Sequence, residues 1–252
     1  MAPTFPHGKG SRVLFNTRDL SNILNSFEVT RTAAVHDVTC YVTSTGGQTT
    51  DNAYLPGLKD GVATLEGLSD GSTAKLDQVL STALAAATKP VISLGPGGAA
   101  VGDPAILAQA DMTDFTITSP AKDVVAVTAK VQASMMRVGG WWLATPTAPS
   151  TSTGGLTGII DRTISTAAGS STRGGVAHCH IVSATTSTGV VKVQHSTDGA
   201  SWSDLISFTI SSGRSVQRST VAGSVKERIR GNVHQASTAG FTVGLTFARH
   251  TI

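Results

Sequence analysis

Two cysteines in 252 residues, Cys40 and Cys179, are too few for a disulfide framework. They lie in different halves of the chain, so both are expected as free thiols. Aromatic residues make up 5% and charged residues 14%, which excludes a coiled coil or a charge-laced helical bundle. No run of about 18 apolar residues occurs, so nothing reads as a membrane-spanning helix. The opening MAPTFPHGKG lacks the apolar stretch of a signal peptide and predicts a Pro/Gly-rich tail on a protein made and assembled in a cytosol. Catalytic signatures are missing as well: there is no GxSxG, HExxH or P-loop, and no close carboxylate pair in an apolar setting. Gly95 to Gly98 (GPGG) is followed by neither a helix nor Lys-Ser/Thr, so it predicts a turn. These absences point to a protein that is not an enzyme and uses no cofactor.

Abundant Gly, Ser and Thr suit short strands joined by turns. Low charge with a positive mean hydropathy of +0.10 suggests a surface partly covered by other subunits. Leu76, Val79, Leu80, Ala83, Leu84 and Ala87 recur at helical spacing and predict a helix over about 74–88, stopped by Lys89-Pro90. Strand alternation follows at Thr113, Phe115 and Ile117, and again at Val125, Val127, Ala129, Val131 and Ala133. The Pro/Ser/Thr/Gly-rich stretch 146–158 reads as a linker between a first domain (1–145) and a second all-β sandwich (159–252). Phe241, Val243, Leu245 and Phe247 predict the core face of the last strand. The +3 net charge hides a split: residues 1–150 carry ten basic and twelve acidic groups, residues 151–252 nine and four.

His178-Cys179-His180 is the most metal-like triplet, but alternation along a strand lets only the two histidines converge, and no metal site is expected. Ser196, Asp198, Gly199 and Trp202 mark a hairpin turn, because Asp-Gly tolerates positive φ. Trp202 is expected to pack back into the core. VQHSTDGASW resembles the hairpin of jelly-roll carbohydrate-binding and discoidin-like modules, and more distantly the Asp-box of sialidases; in these families it mainly builds a turn. Lys226, Arg228 and Arg230 alternate and predict a positive strand face, solvated or matched to an acidic partner. Trp141-Trp142 puts one ring into the core and the other at an interface or beneath the linker.

Short strand-like runs, Arg12 to Phe15 and Phe27 to Thr30, bracket NTRDLS. A Thr/Gly/Gln-rich segment then leads from Thr39 to Asn52 into YLPGLKDG, with strand-like VATLEGL after it. A long polar excursion between strands that would otherwise pair predicts a functional arm at about 39–58. Together, NTRDLSNILNSFEVTR and YLPGLKDGVATLEG resemble the first half of the major tail tube proteins of long-tailed bacteriophages, over about residues 7–145. That resemblance implies a mainly β fold, a tail-tube sandwich or open barrel with one flanking helix and a long hairpin arm. It implies a virion protein whose copies close into rings, as hexamers or as trimers with tandem tube folds, and stack into a channel for DNA delivery. Residues Tyr54, Leu55, Pro56, Gly57, Leu58, Lys59 and Asp60 would belong to the assembly arm. The implied partners are further copies of the chain, the tail terminator, tape measure and distal tail proteins, and genome DNA that passes without specific binding. Two alternatives stand beside it: a particle-anchored glycan-binding or adhesion protein, and a minor tail or head–tail joining protein of the same fold.

Overall fold

A computed structural model describes residues 10–37, 54–69, 76–145, 164–165, 171–184, 189–211, 213–235 and 241–250. The strands of the first half are β1 (Arg12–Phe15), β2 (Arg18–Asp19), β3 (Leu24–Asp37), β4 (Tyr54–Leu68), β5 (Val91–Gly95), β6 (Pro104–Thr118) and β7 (Ala126–Ala144). Those of the second are β8 (Ile164–Ser165), β9 (Gly175–Ala184), β10 (Gly189–Ser196), β11 (Ser203–Ile210), β12 (Ser215–Val221), β13 (Arg228–Gln235) and β14 (Phe241–Arg249). Among the described residues one helix, α1 (Leu76–Ala85), accompanies them. The fold is therefore mainly β, with the helix inside its expected span.

Ten strands form one antiparallel sheet in the order β12-β9-β14-β7-β6-β5-β1-β2, with β4 on β7 and β3 on β4. The remaining four form a second sheet, β11-β10-β13-β8. Strand β7 organises both halves because it is 19 residues long. Its first part pairs with β4 through Gln132 to Ala126, and its end pairs with β14 through Trp141, Trp142 and Ala144.

Three apolar clusters fill the layers. Leu76, Leu80 and Ala83 of α1 press onto Val13, Phe15, Leu65, Ile92, Val127 and Val131. Leu84 is 46% exposed, so the helix buries a narrower stripe than its apolar spacing suggests. A second cluster joins Ala177, Cys179, Ile181, Leu245 and Phe247 to Val191, Val193, Phe208 and Ile229 of the smaller sheet. A third, Leu14, Ala105, Leu107, Trp142, Val176 and Ala248, draws on both halves of the chain.

The predicted core face of β14 is present in Val243, Leu245 and Phe247. Its other face is also buried, through Thr246 and Ala248. β9 is likewise closed on both sides, so these two strands form a middle layer. The stretch 146–158 lies outside the described residues. The C-terminal strands do pack as a sandwich against the smaller sheet, yet their own layer continues the N-terminal sheet through β7.

Gly67 marks the closest approach between helix and sheet. A Cβ there would lie 2.6 Å from the Ile23 carbonyl oxygen and collide with Leu76 Cδ2. Gly67→Ala is expected to cost about 1–3 kcal/mol, the usual overpacking penalty, read as a lower urea midpoint at unchanged slope.

Candidate assembly interface

β3 and β4 pair from Leu24–Gly67 out to Asp37–Tyr54, whereas β4 pairs with β7 only over Val62 to Leu68. Beyond Thr30 the hairpin therefore leaves the sheet as a two-stranded ribbon. Seven residues of β3 (31–37) face eight of β4 (54–61), and at about 3.3 Å per residue the ribbon is about 23 Å long. Up to Thr30, Ser26, Glu28 and Thr30 are exposed while Phe27 and Val29 are half-buried; from Arg31 to Ala34 every side chain is exposed. One face rests on the body at the root, and neither does from Arg31 to Ala34.

The predicted arm begins inside this ribbon. The backbone of Tyr54 to Leu58 lies in β4, with Val35 opposite Pro56, His36 opposite Leu55 and Asp37 opposite Tyr54. Tyr54 to Leu58 of the predicted hairpin arm are thus strand. A ribbon with one neighbour has an open side, and that side accommodates Pro56, which has no N–H to donate. Lys59 and Asp60 are exposed, and the Asp60 carboxylate accepts hydrogen bonds from the Gly61 N–H and the Gln132 amide. The rest of the predicted arm, 39–53, lies outside the described residues.

Large apolar side chains are exposed at the far end of the same sheet. Leu68 closes β4 opposite Ala126, and Ala126 lies opposite Thr118. Leu68, Ile117 and Val124 are 43%, 50% and 60% exposed. The ribbon thus leaves one end of the sheet and an apolar rim faces out at the other.

The two histidines converge on the Ser93 hydroxyl. His180 Nδ1 donates to the Asn16 carbonyl oxygen at 2.6 Å, so its Nε2 accepts from Ser93 Oγ at 2.9 Å. Ser93 Oγ in turn lies 3.0 Å from Thr246 Oγ1 and 3.3 Å from His178 Nδ1, which also reaches the Ile92 carbonyl oxygen at 3.2 Å. All four side chains are fully buried. Burial lowers the His180 pKa to about 4, and burial followed by His180 and Arg218 lowers that of His178 well below the usual imidazole value. The cluster ties β1 and β5 to β9 and β14. Ser93, Asn16 and Thr246 escaped the sequence reading, since lone hydroxyls and amides carry no pattern; a polar serine within the buried run VISLG was the available signal. Cys179, on the other face of β9, is buried and its thiol pKa is pushed up.

A turn at 196–202 joins β10 to β11. Asp198 Oδ1 accepts from the Ala200 and Ser201 N–H groups, both at 2.8 Å, and from Ser196 Oγ at 2.7 Å. Those bonds hold its carboxyl well below the usual range. Gly199 supplies the positive φ, at 77°. Trp202 corrects the expectation of a core residue. It is half-buried outside every apolar cluster, bonded through Nε1 to the Gly199 carbonyl and covered by the Arg230 guanidinium 4.2 Å from the ring. The predicted positive stripe is tied down too. Lys226 precedes β13, Arg228 donates to the Asp198 carbonyl, and Arg230 donates to Gln194. Trp142 is fully buried and Trp141 half-buried, one ring on each side of β7.

No protein-family model and no curated protein sequence matches the chain. Solved structures similar to it include chains of phage and gene-transfer-agent particles. A chain of the native gene transfer agent virion is 12% identical at a TM-score of 0.41, covering 53% of this chain and 98% of its own. The Dit protein of phage SPP1, described as part of a hub adsorption apparatus, is 8% identical at 0.35 and covers 96% and 99%. The SPP1 tail tube is 10% identical at 0.38, covering 54% and 79%. At such scores the functional reading rests on the chain's own geometry.

Proposed function

We propose that the chain is a structural subunit of a phage-type tail, which closes into rings and, as the major tube subunit, stacks them into the conduit for DNA. The observation that carries this reading is the placement of an overhanging ribbon at one end of the sheet and an apolar rim at the other. A two-stranded ribbon is marginal alone in water, and β3 is an edge of 14 residues, the kind of edge that proteins cover. Contact between two different surfaces of identical copies propagates head to tail, giving rings where the rotation closes and stacks where it does not. The tail terminator, tape measure and distal tail proteins would meet the ends of such a stack, in a virion assembled in the host cytoplasm.

The mild acidity of the first half suits a bore lined by that half, since a basic lumen would hold phosphates through counterion release. A ring that forms but does not stack would instead mark a hub or joining protein. The adhesion reading is disfavoured by Trp202, the one tryptophan of the second half, because Arg230 covers its ring instead of leaving it presented to a sugar.

Ile117→Lys with Val124→Lys tests the rim. Both positions are exposed, so unfolding free energy is expected to stay within about 0.5 kcal/mol of the parent. Sedimentation velocity should show the parent's stacks replaced by single rings or free subunits. Unchanged stacks in the double variant would reject the rim as a contact.

A further inference from the structure

We propose that Arg137, Arg218 and His250 form a binding site for a compact oxyanion, a phosphate or carboxylate group. Three separate elements bring them together. Arg137 lies on β7, two residues past Met135, and Arg218 on β12 reaches across to donate to Met135 Sδ at 2.8 Å. Arg218 lies opposite His178 on β9, and His178 opposite Thr246 on β14. His250 follows β14 and is fixed by its N–H to the Gly174 carbonyl at 3.0 Å and by Nδ1 donating to the Arg173 carbonyl at 3.1 Å.

In each of these half-buried side chains one nitrogen is itself buried and has no hydrogen-bond partner among the described residues: Arg137 Nε, Arg218 Nε and His250 Nε2. Neither arginine has a carboxylate within ion-pair distance among the described residues. Buried, unpaired cationic donors are costly, and a guanidinium fork matches the planar geometry of phosphate and carboxylate. The groups repel one another as they stand. Arg218 is lowered by burial and then by Arg137, and His250 is lowered by burial, then by Arg137 and Arg218. An anion among them would relieve that repulsion and let His250 take a proton from solvent on Nε2, making a third donor. Arg137 also lines a cleft of about 240 Å³ together with Arg31 and Lys59 at the root of the ribbon. The cleft's carboxylate, Asp60, is already bound by Gly61 and Gln132.

The test is titration of the full chain with inorganic phosphate, and separately with acetate, at constant ionic strength. Melting temperature and the His250 ring resonances are the readouts. Phosphate should raise the melting temperature saturably where chloride does not, and should move the His250 resonances while leaving His195 in place. Arg137→Gln and Arg218→Gln should weaken binding by about tenfold or more, the loss expected for a charge-assisted fork. Arg218→Lys should retain part of it, and Arg214→Gln, at an exposed arginine outside the cluster, should change nothing. If either glutamine variant fails to fold, the wild-type His250 resonances decide. No saturable shift there, or equal binding by folded R137Q and R218Q, would overturn the proposal. Assembled particles distinguish the source of the anion. A site that still takes phosphate is filled by free ions, whereas one closed to phosphate, with R218Q slow to assemble, is filled by a carboxylate of a neighbouring copy.

Discussion

Lowering the pH from 7 to 4 is expected to remove about 3 kcal/mol of unfolding free energy through His180 alone, at about 1.36 kcal/mol per pKa unit. The folded value of about 4 lies below the 6.5 of a free imidazole. Between these limits the unfolded chain binds more protons than the folded one, so stability is full above pH 6.5 and falls as the pH drops. His178 is shifted in the same direction and adds to the loss. Asp198 and Asp204, both lowered by hydrogen bonds, act in a more acidic window, below the usual carboxylate pKa. Geometry explains why the penalty is steep. A proton on His180 Nε2 would turn the acceptor of the Ser93 hydroxyl into a second donor, in a cluster closed to water. Urea unfolding at pH 7, 5.5 and 4.5 measures the slope, and His180→Asn, which cannot take the charge, should flatten it. A parent whose stability is constant over this range would contradict the assigned hydrogen bonds.

Removing the ribbon should have the larger effect on assembly and a small one on folding. In a chain with residues 33–59 replaced by a short turn, the apolar clusters keep all their described members, since none of these lies in that span. The variant is expected to unfold cooperatively near the parent's urea midpoint and to remain a free subunit at concentrations where the parent assembles. Loss of assembly would come from lost contact area and lost strand pairing, both of which the ribbon offers only to another copy. A truncated chain that still assembled fully would deprive the ribbon of its role.

The helix was legible because its period and its Lys89-Pro90 stop are local signals, and so was the Asp198-Gly199 turn. The last strand was half legible: alternation identified Val243, Leu245 and Phe247, but small residues on its other face (Gly244, Thr246 and Ala248) gave no hint that this face is buried as well. Joining of the halves through β7 and β14 depends on pairing between residues about a hundred apart, such as Trp142 with Thr246, and no local pattern encodes that. The strand read at Phe27 to Thr30 runs on through RTAAVHD, which lacks the apolar alternation of a half-buried strand. Its strand character comes from cross-strand pairing with Tyr54 to Gly61. Trp202 was misplaced for a related reason: a cation supplied from β13 covers its ring, and that neighbour is set by the register of β10 and β13. Arg137 and Arg218 carried no signal because they lie on β7 and β12, strands far apart in the sequence.

Negative-stain microscopy of the purified full chain tests the central claim most directly, that this subunit is completed by copies of itself. The account predicts closed rings with an open bore, stacked into tubes. A chain that stays a dispersed monomer at high concentration, ribbon intact and free, would contradict it.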